Sequence, residues 1–129
     1  MGAKGKGSRT ERELVQILKD NNWAAIRVAG SGLTSDPNTD VIAGNGKRHL
    51  AIECKSVKGK YKHLYSEQIE DLIKFSKNFG AEPWIAIRFN VKGWYFLKPE
   101  NLTKTKTNLS VSLKLAEEKG LKFSKLINL

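Results

Sequence analysis

The chain has 129 residues, of which 40% are hydrophobic, and its 23 lysines and arginines against 13 acidic residues give a net charge of +10. This length suits one domain that buries a core without disulfides or a structural metal. The single cysteine excludes a disulfide framework and a cysteine-based zinc cluster. The charge favours a polyanionic partner, nucleic acid before an anionic membrane surface, although charge that serves only solubility gives the same composition. With no signal-peptide pattern and no apolar run near the ~20 residues of a spanning helix, a cytoplasmic protein without a membrane partner is expected.

The first part of the chain predicts a basic arm followed by a helix. Residues 1–7 are expected to form a flexible arm, because Lys4 and Lys6 lie between glycines with almost nothing apolar to pack. A helix is predicted from Ser8 to about Asn22. Its apolar residues recur at helical spacing and are Leu14, Val15, Ile17 and Leu18.

Glu11 belongs to the same inward stripe of this helix, whereas Glu13 is predicted to point away. A carboxylate that faces the protein needs a partner. Ser8-x-x-Glu11 fits a capping box, in which Glu11 bonds back to the start of the helix. Thr10-x-x-Glu13 fits equally well, and that alternative leaves Glu11 available for a metal. Both uses of Glu11 remain open.

A hairpin is predicted after a first strand at residues 23–29 and a glycine-rich loop at residues 30–38. Asn45-Gly46 lies between two β-forming runs, residues 39–43 and 48–55, and Asn-Gly is a strong hairpin signal. If Asn45 and Gly46 are the two loop residues, Asp40 lies opposite Ala51.

This pairing predicts that Asp40, Glu53 and Lys55 lie on one face of the sheet, because side chains alternate along a strand. Asp40 then lies diagonally from Glu53, about 7–8 Å away, and the two carboxylates can converge on one cation. Cys54 falls on the apolar face as a small buried residue. The alternative is an ordinary surface patch of ion pairs. The coincidence with a glycine-rich loop, a basic arm and the charge of +10 favours a magnesium site.

The remainder of the chain supplies further elements and phosphate contacts. Lys58, Lys60 and Lys62 lie in a basic turn and, with Lys4 and Lys6, are predicted to contact DNA phosphates, the alternative for each being a solvated lysine. The other predicted elements are a helix at residues 67–78 capped by Ser66 and stopped by Gly80, strands at 83–89, 93–97 and 109–113, and a helix near 115–119.

Phe75 and Phe79 form an i,i+4 pair beside the inner stripe of the second predicted helix, which is Ile69, Leu72, Ile73 and Ser76. The pair widens the apolar arc beyond what one packed face needs, so it predicts a two-fold dimer interface. Ordinary core packing of at least one of the two rings is the alternative. His49 and His63 are interpreted as surface histidines.

Several of these residues together resemble a known nuclease group. Glu11, Asp40 and Glu53-Cys54-Lys55 match the pattern of the PD-(D/E)xK nuclease superfamily, with Thr39 in place of its proline. The flanking sequence is similar to the archaeal Holliday junction resolvases of the Hjc type, up to about residue 97. The similar stretches are Glu11-Arg12-Glu13-Leu14, Arg27-Val28-Ala29-Gly30-Ser31-Gly32, Asp40-Val41-Ile42-Ala43-Gly44-Asn45-Gly46, Ile52-Glu53-Cys54-Lys55, Phe75-Ser76 and Phe79-Gly80.

The resemblance implies an α/β single domain with a central mixed five-stranded sheet flanked by helices, as in restriction endonucleases. It implies a homodimeric, Mg²⁺-dependent endonuclease, with Mn²⁺ able to substitute, that cuts two opposed strands of a four-way DNA junction. Carried over by position, Glu11, Asp40 and Glu53 hold metal and Lys55 assists the attacking water. Ser31 matches a position near the active site. The matched DNA-contacting positions are Arg12 and Arg27.

Two other functions compete with junction cleavage. A duplex-cutting, restriction-type nuclease of the same superfamily would share the four site residues. A non-catalytic DNA-binding protein that keeps the fold would share the basic charge. Equal cleavage rates on a junction and on its linear arms would favour the duplex-cutting nuclease. The absence of any metal-dependent cleavage would indicate the non-catalytic DNA-binding protein.

Overall fold

The computed structural model describes the backbone of residues 2–28 and 39–129, and the side chains of residues 7–28 and 39–129. The helices are α1 (Gly2–Asp20), α2 (Ser66–Phe79), α3 (Leu113–Lys119) and α4 (Phe123–Ile127), with a short 3₁₀ helix at Pro99–Asn101. The strands are β1 (Ala24–Arg27), β2 (Val41–Gly44), β3 (His49–Val57), β4 (Tyr61–Leu64), β5 (Glu82–Phe89), β6 (Gly93–Leu97), β7 (Thr103–Lys104) and β8 (Leu109–Ser112). Among the described helices, none combines the length and apolarity needed to cross a membrane.

The main sheet has five strands in the order β1-β2-β3-β5-β6. Strands β3 and β5 are parallel, and the other neighbouring pairs are antiparallel. Leu14 and Leu18 of α1 pack on one face, whereas Ile69 and Leu72 of α2 pack on the other. The predicted mixed five-stranded sheet flanked by helices is therefore confirmed.

Helix α1 begins at Gly2, earlier than the predicted start at Ser8. Once Leu14 and Leu18 anchor the later turns in the core, each added residue gains a backbone hydrogen bond at little further cost. Ser8 and Thr10 consequently lie inside the helix and cannot be its N-cap, so both predicted capping boxes are wrong.

The two loop residues of the hairpin are Gly46 and Lys47, and the predicted loop Asn45-Gly46 is wrong. Ala51 pairs with Ile42 and not with Asp40, as the prediction had it. The Asn45 side-chain oxygen accepts hydrogen bonds from the backbone N–H groups of Lys47 and Arg48, at 2.9 and 2.7 Å. Gly46 has a φ of 92°, which glycine adopts without steric cost. The register shifts by two residues, so every side chain stays on its predicted face.

Helix α2 ends as predicted at Gly80, whose φ of 85° is left-handed and whose N–H bonds to the Ser76 carbonyl. Its start differs, because Tyr65 is the N-cap and makes no side-chain cap bond. Ser66 is instead the first helical residue. Ile73 is 44% exposed, which corrects its assignment to the inner stripe.

A second sheet, in the order β4-β8-β7, was not predicted as a unit. Strand β8 matches the predicted strand at residues 109–113, and β4 takes up the end of the basic turn. Leu64 and Val111 are buried beside the α2 side of the main sheet, so only one face of this small sheet joins the core. Its opposite face is available at the surface.

Candidate active site

Asp40 and Glu53 are two buried acidic residues, 9% and 8% exposed, at the point where β2 and β3 begin to separate. The Asp40 N–H donates to the Ile52 carbonyl at 3.1 Å, and its Oδ2 accepts from the Cys54 N–H at 2.9 Å. The Asp40 carbonyl accepts from the Val28 N–H at 2.8 Å. Asp40 is thereby tied to β3 on both sides of Glu53, and this backbone frame brings the two carboxyl groups together.

The two carboxyl groups perturb one another electrostatically. Burial, followed by the charge of Asp40, raises the pKa of Glu53 to about 8, although Lys55 acts in the opposite direction. Glu53 also shares a side-chain hydrogen bond with Asp40. Two carboxylates in a buried site cannot both ionise without a compensating cation. Glu53 therefore retains its proton near neutral pH in the metal-free protein.

Lys55 is the cation beside this pair. Its Nζ lies 3.4 Å from Glu53 Oε2 and donates to Gln68 Oε1 at 3.1 Å. Gln68 comes from the first turn of α2, so the crossover helix after β3 helps to position the lysine. Gln68 carries no sequence signal for this role, because only the tertiary packing of α2 brings it to Lys55.

Glu11 projects towards the same site from α1 but is held by Arg27. Arg27 Nε lies 2.9 Å from Glu11 Oε1, and another Arg27 nitrogen donates to Ser8 Oγ at 3.0 Å. Burial and the charge of Asp40 raise the pKa of Glu11, with Arg27 opposing them. Burial is the largest of these effects on the pKa of Glu11, and the Arg27 ion pair does not fully offset it.

The structure brings Glu11, Asp40, Glu53 and Lys55 into one electrostatic cluster. Within the described residues, however, no three histidine, cysteine or acidic side chains are grouped closely enough to hold a metal together. The buried carboxyl pair is the assembled part of the predicted metal site. Ser31 and the side chains of Lys4 and Lys6 lie outside the described residues.

The predicted DNA-contacting residues fall into two groups. Arg12, Lys58 and Lys60 are exposed and Lys62 is partly exposed, so these side chains are accessible to a phosphate backbone. The Arg27 guanidinium instead donates hydrogen bonds to Glu11 and Ser8 within the candidate site.

Thr39 takes the position of the proline in the superfamily pattern. It is fully buried, and its hydroxyl donates to the Ile52 carbonyl at 2.8 Å, the same carbonyl that accepts from Asp40. The side chain thus joins the two strands directly before Asp40. This bond shows how the chain fixes the entry to the site without a proline.

The prediction that Glu13 points away from the protein is wrong. Its Oε2 accepts from Arg88 Nε and from Trp94 Nε1, each at 2.7 Å. The side chain therefore ties α1 to β5 and β6 and does not simply point away from the protein. Its bonds are satisfied by structural partners.

Phe75 and Phe79 stack with their ring centroids 5.3 Å apart and an interplanar angle of 15°. Phe75 is partly buried against the core, whereas Phe79 is 53% exposed. Ile26 on the edge strand β1 is 62% exposed, and Phe79 lines the same shallow depression as Ile26 and Ile42. Phe75 thus packs against the core, as the alternative prediction stated, whereas Phe79 contributes to an apolar surface.

Comparison with known proteins places this geometry in a family. The family model described as archaeal Holliday junction resolvase (Hjc) matches residues 2–129. The chain belongs to this family. The family predicted from the acidic and glycine motifs is therefore confirmed, and with it the expectation of a resolvase-type nuclease.

Members of the resolvase family from several archaea are similar along most of the chain. The crossover junction endodeoxyribonuclease Hjc of Archaeoglobus fulgidus is 41% identical over 108 residues, which cover 84% of this chain and 79% of that protein. The Hjc of Sulfolobus acidocaldarius is 33% identical over 129 residues, covering 98% and 90%. Similarity thus continues past residue 97, where the motif resemblance ended.

A solved structure of a resolvase supports the same placement. The 1.6 Å structure of A. fulgidus Hjc, described as a Holliday junction resolvase from an archaeal hyperthermophile, superposes with a TM-score of 0.87. It is 35% identical, and the match covers 93% of this chain and 98% of that one.

Proposed function

We propose that this chain is a Mg²⁺-dependent endonuclease that resolves four-way DNA junctions by hydrolysing phosphodiester bonds on two opposed strands. The observation that carries the proposal is the buried Asp40–Glu53 pair with Lys55 beside it. Membership of the archaeal resolvase family supports the choice of substrate.

The carboxyl pair fits a divalent cation. In the metal-free protein burial and the charge of Asp40 raise the pKa of Glu53 to about 8, and a bound cation would offset the negative charge of the two side chains. Carboxylate oxygens suit Mg²⁺, which is usually held by one or two of them together with substrate phosphate, and Mn²⁺ accepts similar ligands. Asp40 and Glu53 would hold the ion. When bound, the ion would polarise a phosphate oxygen and lower the pKa of a water molecule.

Three residues around the carboxyl pair are proposed to have further roles in cleavage. Lys55, held by Gln68, would orient the attacking water and stabilise negative charge on the phosphate. Glu11, whose Oε1 lies 2.9 Å from Arg27 Nε, would become a further ligand if Arg27 turned from it towards a DNA phosphate. Ser31 is proposed to lie near the reacting phosphate, as the resemblance implies. Cleavage would leave a 5′-phosphate and a 3′-hydroxyl.

DNA would be held through its backbone. The proposed phosphate contacts are Lys4, Lys6, Arg12, Arg27, Lys58, Lys60 and Lys62. Such contacts carry no sequence information by themselves, so selectivity for a junction would come from the spacing and shape of its phosphates.

Two opposed cuts require two sites, which a homodimer supplies. The exposed Phe79 and Ile26 and the partly buried Phe75 provide an apolar surface for a two-fold contact. Sedimentation of a Phe79→Ser variant beside the wild type tests this contact, since loss of the ring should shift the protein towards monomers. An unchanged dimer would contradict the proposed interface.

Side-by-side cleavage of a mobile four-way junction and of its linear arms, with Mg²⁺ or Mn²⁺, tests the activity. Paired nicks on opposed strands of the junction, with the arms left intact, are expected. Equal cleavage of both would indicate a duplex-cutting nuclease. Absence of cleavage with either ion would indicate a non-catalytic DNA-binding protein and contradict the proposal.

A further inference from the structure

The outer face of the small sheet carries a row of aromatic rings that the proposed hydrolysis does not use. Tyr61 and Tyr65 are 58% and 60% exposed, and His63 is exposed between them. Tyr61 and His63 are alternate residues of β4, and Tyr65 continues in extended backbone, so the three side chains share one face. The rings of His63 and Tyr65 meet edge to face at 5.7 Å.

Small hydroxyl residues form the floor beside these rings. Ser112 lies opposite Tyr61, Ser110 lies opposite His63, and Thr103 lies opposite Ser110 on the far strand. Directly opposite residues point to the same side of a sheet. The core-facing side of the same sheet carries buried Leu64 and Val111. Ser110 is only 4% exposed, whereas Ser112 is partly exposed and Thr103 is exposed, so the rings share this face with polar residues and do not belong to the core.

Exposed lysines border this face at both ends. Lys58 and Lys60 precede the first ring, and Lys106 follows β7. Lys104 lies opposite Leu109 and therefore belongs to the other face of the sheet. None of the three bordering lysines makes an ion pair with another residue in the described part of the chain. Flat rings within a cationic border match the chemistry of nucleic acid, whose bases stack on aromatic side chains while its phosphates contact lysines.

The aromatic row also leads towards the active site. Tyr65 directly precedes α2, and Gln68 in the first turn of that helix holds Lys55. A strand that presents a phosphate to Lys55 can therefore place neighbouring nucleotides over β4. In a continuous duplex those bases are stacked inside the helix, whereas at a branch point stacking is interrupted and a base can be displaced.

We propose that Tyr61, His63 and Tyr65 form a stacking platform for a nucleobase displaced at the branch point of the DNA junction. The platform rests on the proposed junction-resolving function and adds a determinant of selectivity to it. Each ring that stacks on a base should strengthen binding to the junction by about tenfold, while binding to continuous duplex depends only on the lysines.

The test uses the full chain and a four-way junction with 2-aminopurine, a fluorescent adenine analogue, at the branch point. The double variant Tyr61→Leu/Tyr65→Leu keeps apolar bulk but removes the planar rings, and Tyr61→Phe/Tyr65→Phe keeps the rings. Val91→Ala, at an 86% exposed position elsewhere, is the control for loss of a surface apolar side chain. Junction and linear-arm dissociation constants are measured together with fluorescence quenching.

The leucine variant should bind the junction at least about tenfold more weakly and lose the quenching, whereas the phenylalanine and control variants should resemble the wild type. Unchanged junction binding and quenching, or an equal loss of linear-duplex binding, would overturn the platform. Failure of the wild type to cut junctions would instead overturn the proposed function. If thermal unfolding shows that the double variant is not folded, His63→Ala and Tyr61→Leu are compared singly by the same measurements and criteria.

Discussion

Two glutamates on the adjacent parallel strands β3 and β5 have opposite electrostatic environments. Glu82, near the start of β5, receives two hydrogen bonds from Arg48, each of 2.8 Å, and one from Trp84, and its pKa is lowered chiefly by Arg48. Glu53 on β3 is buried against another carboxyl group, and its pKa is raised to about 8. Arg48 offsets the charge of Glu82, whereas Lys55, 3.4 Å from Glu53, does not outweigh burial and the charge of Asp40, which is typical of a carboxyl group in a functional site.

The largest expected effect comes from removing one charge of the buried pair. Asp40→Asn keeps an oxygen that can accept from the Cys54 N–H, so the fold and junction binding should persist. Cleavage should fall by about a thousandfold or more, because the proposed metal site would lose one of its ligands. Single-turnover cleavage and junction binding by gel shift measure the two properties.

Glu82→Gln is the matched control for that change, since it alters a carboxylate on the neighbouring strand. Cleavage by this variant should stay within about twofold of the wild type. Undiminished cutting by Asp40→Asn, or equal loss in both variants, would contradict the distinction between the two sites.

The second effect is on pH dependence. The proposed ion would bind the pair only after Glu53 releases its proton, so Mg²⁺ affinity should fall by up to about tenfold for each pH unit below about 8. Isothermal titration in buffers of different ionisation enthalpy should detect the released proton. Glu82→Gln should leave this slope unchanged, and a pH-independent affinity between pH 6 and about 8 would contradict the raised pKa.

The same two glutamates should also influence stability with opposite signs. The folded pKa of Glu53 lies above its unfolded value of 4.5, so the metal-free protein loses stability as the pH rises from 4.5 to about 8. The folded pKa of Glu82 lies below 4.5, so its contribution is present above that value and is lost as the pH falls through the lowered pKa.

The third effect is on stability alone. Arg48 binds Glu82, donates to the Leu126 carbonyl at 2.8 Å and lies over the Trp23 ring. Arg48→Met should lower the free energy of unfolding by about 1–2 kcal/mol, a modest value because Glu82 is partly solvated. Urea denaturation measures the loss. Cleavage by the folded variant should remain unchanged, and a large loss of cleavage would show that this pair also supports the active site.

The smallest expected effect concerns the support of Lys55. Gln68→Ala removes the 3.1 Å hydrogen bond to Lys55 Nζ while leaving its ion pair with Glu53. The cleavage rate constant should fall by about three- to tenfold with junction affinity retained. Gln16→Ala, at an exposed position on α1 whose side chain donates to Asp20, is the control. A loss of binding in place of rate would assign Gln68 to DNA contact.

The face of the sheet that carries the site was predictable because side-chain alternation has a period of two. The predicted loop was displaced by one residue and the pairing by two, so Asp40, Glu53 and Lys55 stayed on the expected face. The helical stripe of α1 similarly predicted that Leu14, Leu18 and Glu11 face inward. These regular periods are carried by neighbouring residues and need no knowledge of the tertiary structure.

The partners of the site residues could not be predicted in the same way. Arg27 and Ser8 meet Glu11 only when β1 packs on α1, and Gln68 reaches Lys55 only through the placement of α2. The small sheet was missed as a unit because β4 and β7 are short and rich in lysine, and β4 pairs with a distant strand. Long-range packing decides all of these contacts.

Cys54 lies between Glu53 and Lys55 with its thiol in the core, and this arrangement supplies a native reporter of local unfolding. It is the single cysteine, and burial raises the pKa of its thiol. A thiol reagent can therefore label it only while β3 opens. Added Mg²⁺, which Asp40 and Glu53 are proposed to hold, should lower the labelling rate, because the ion would have to be released before the strand opens. The labelling rate of Cys54 in the unmodified protein thus measures how often β3 opens beside the candidate active site.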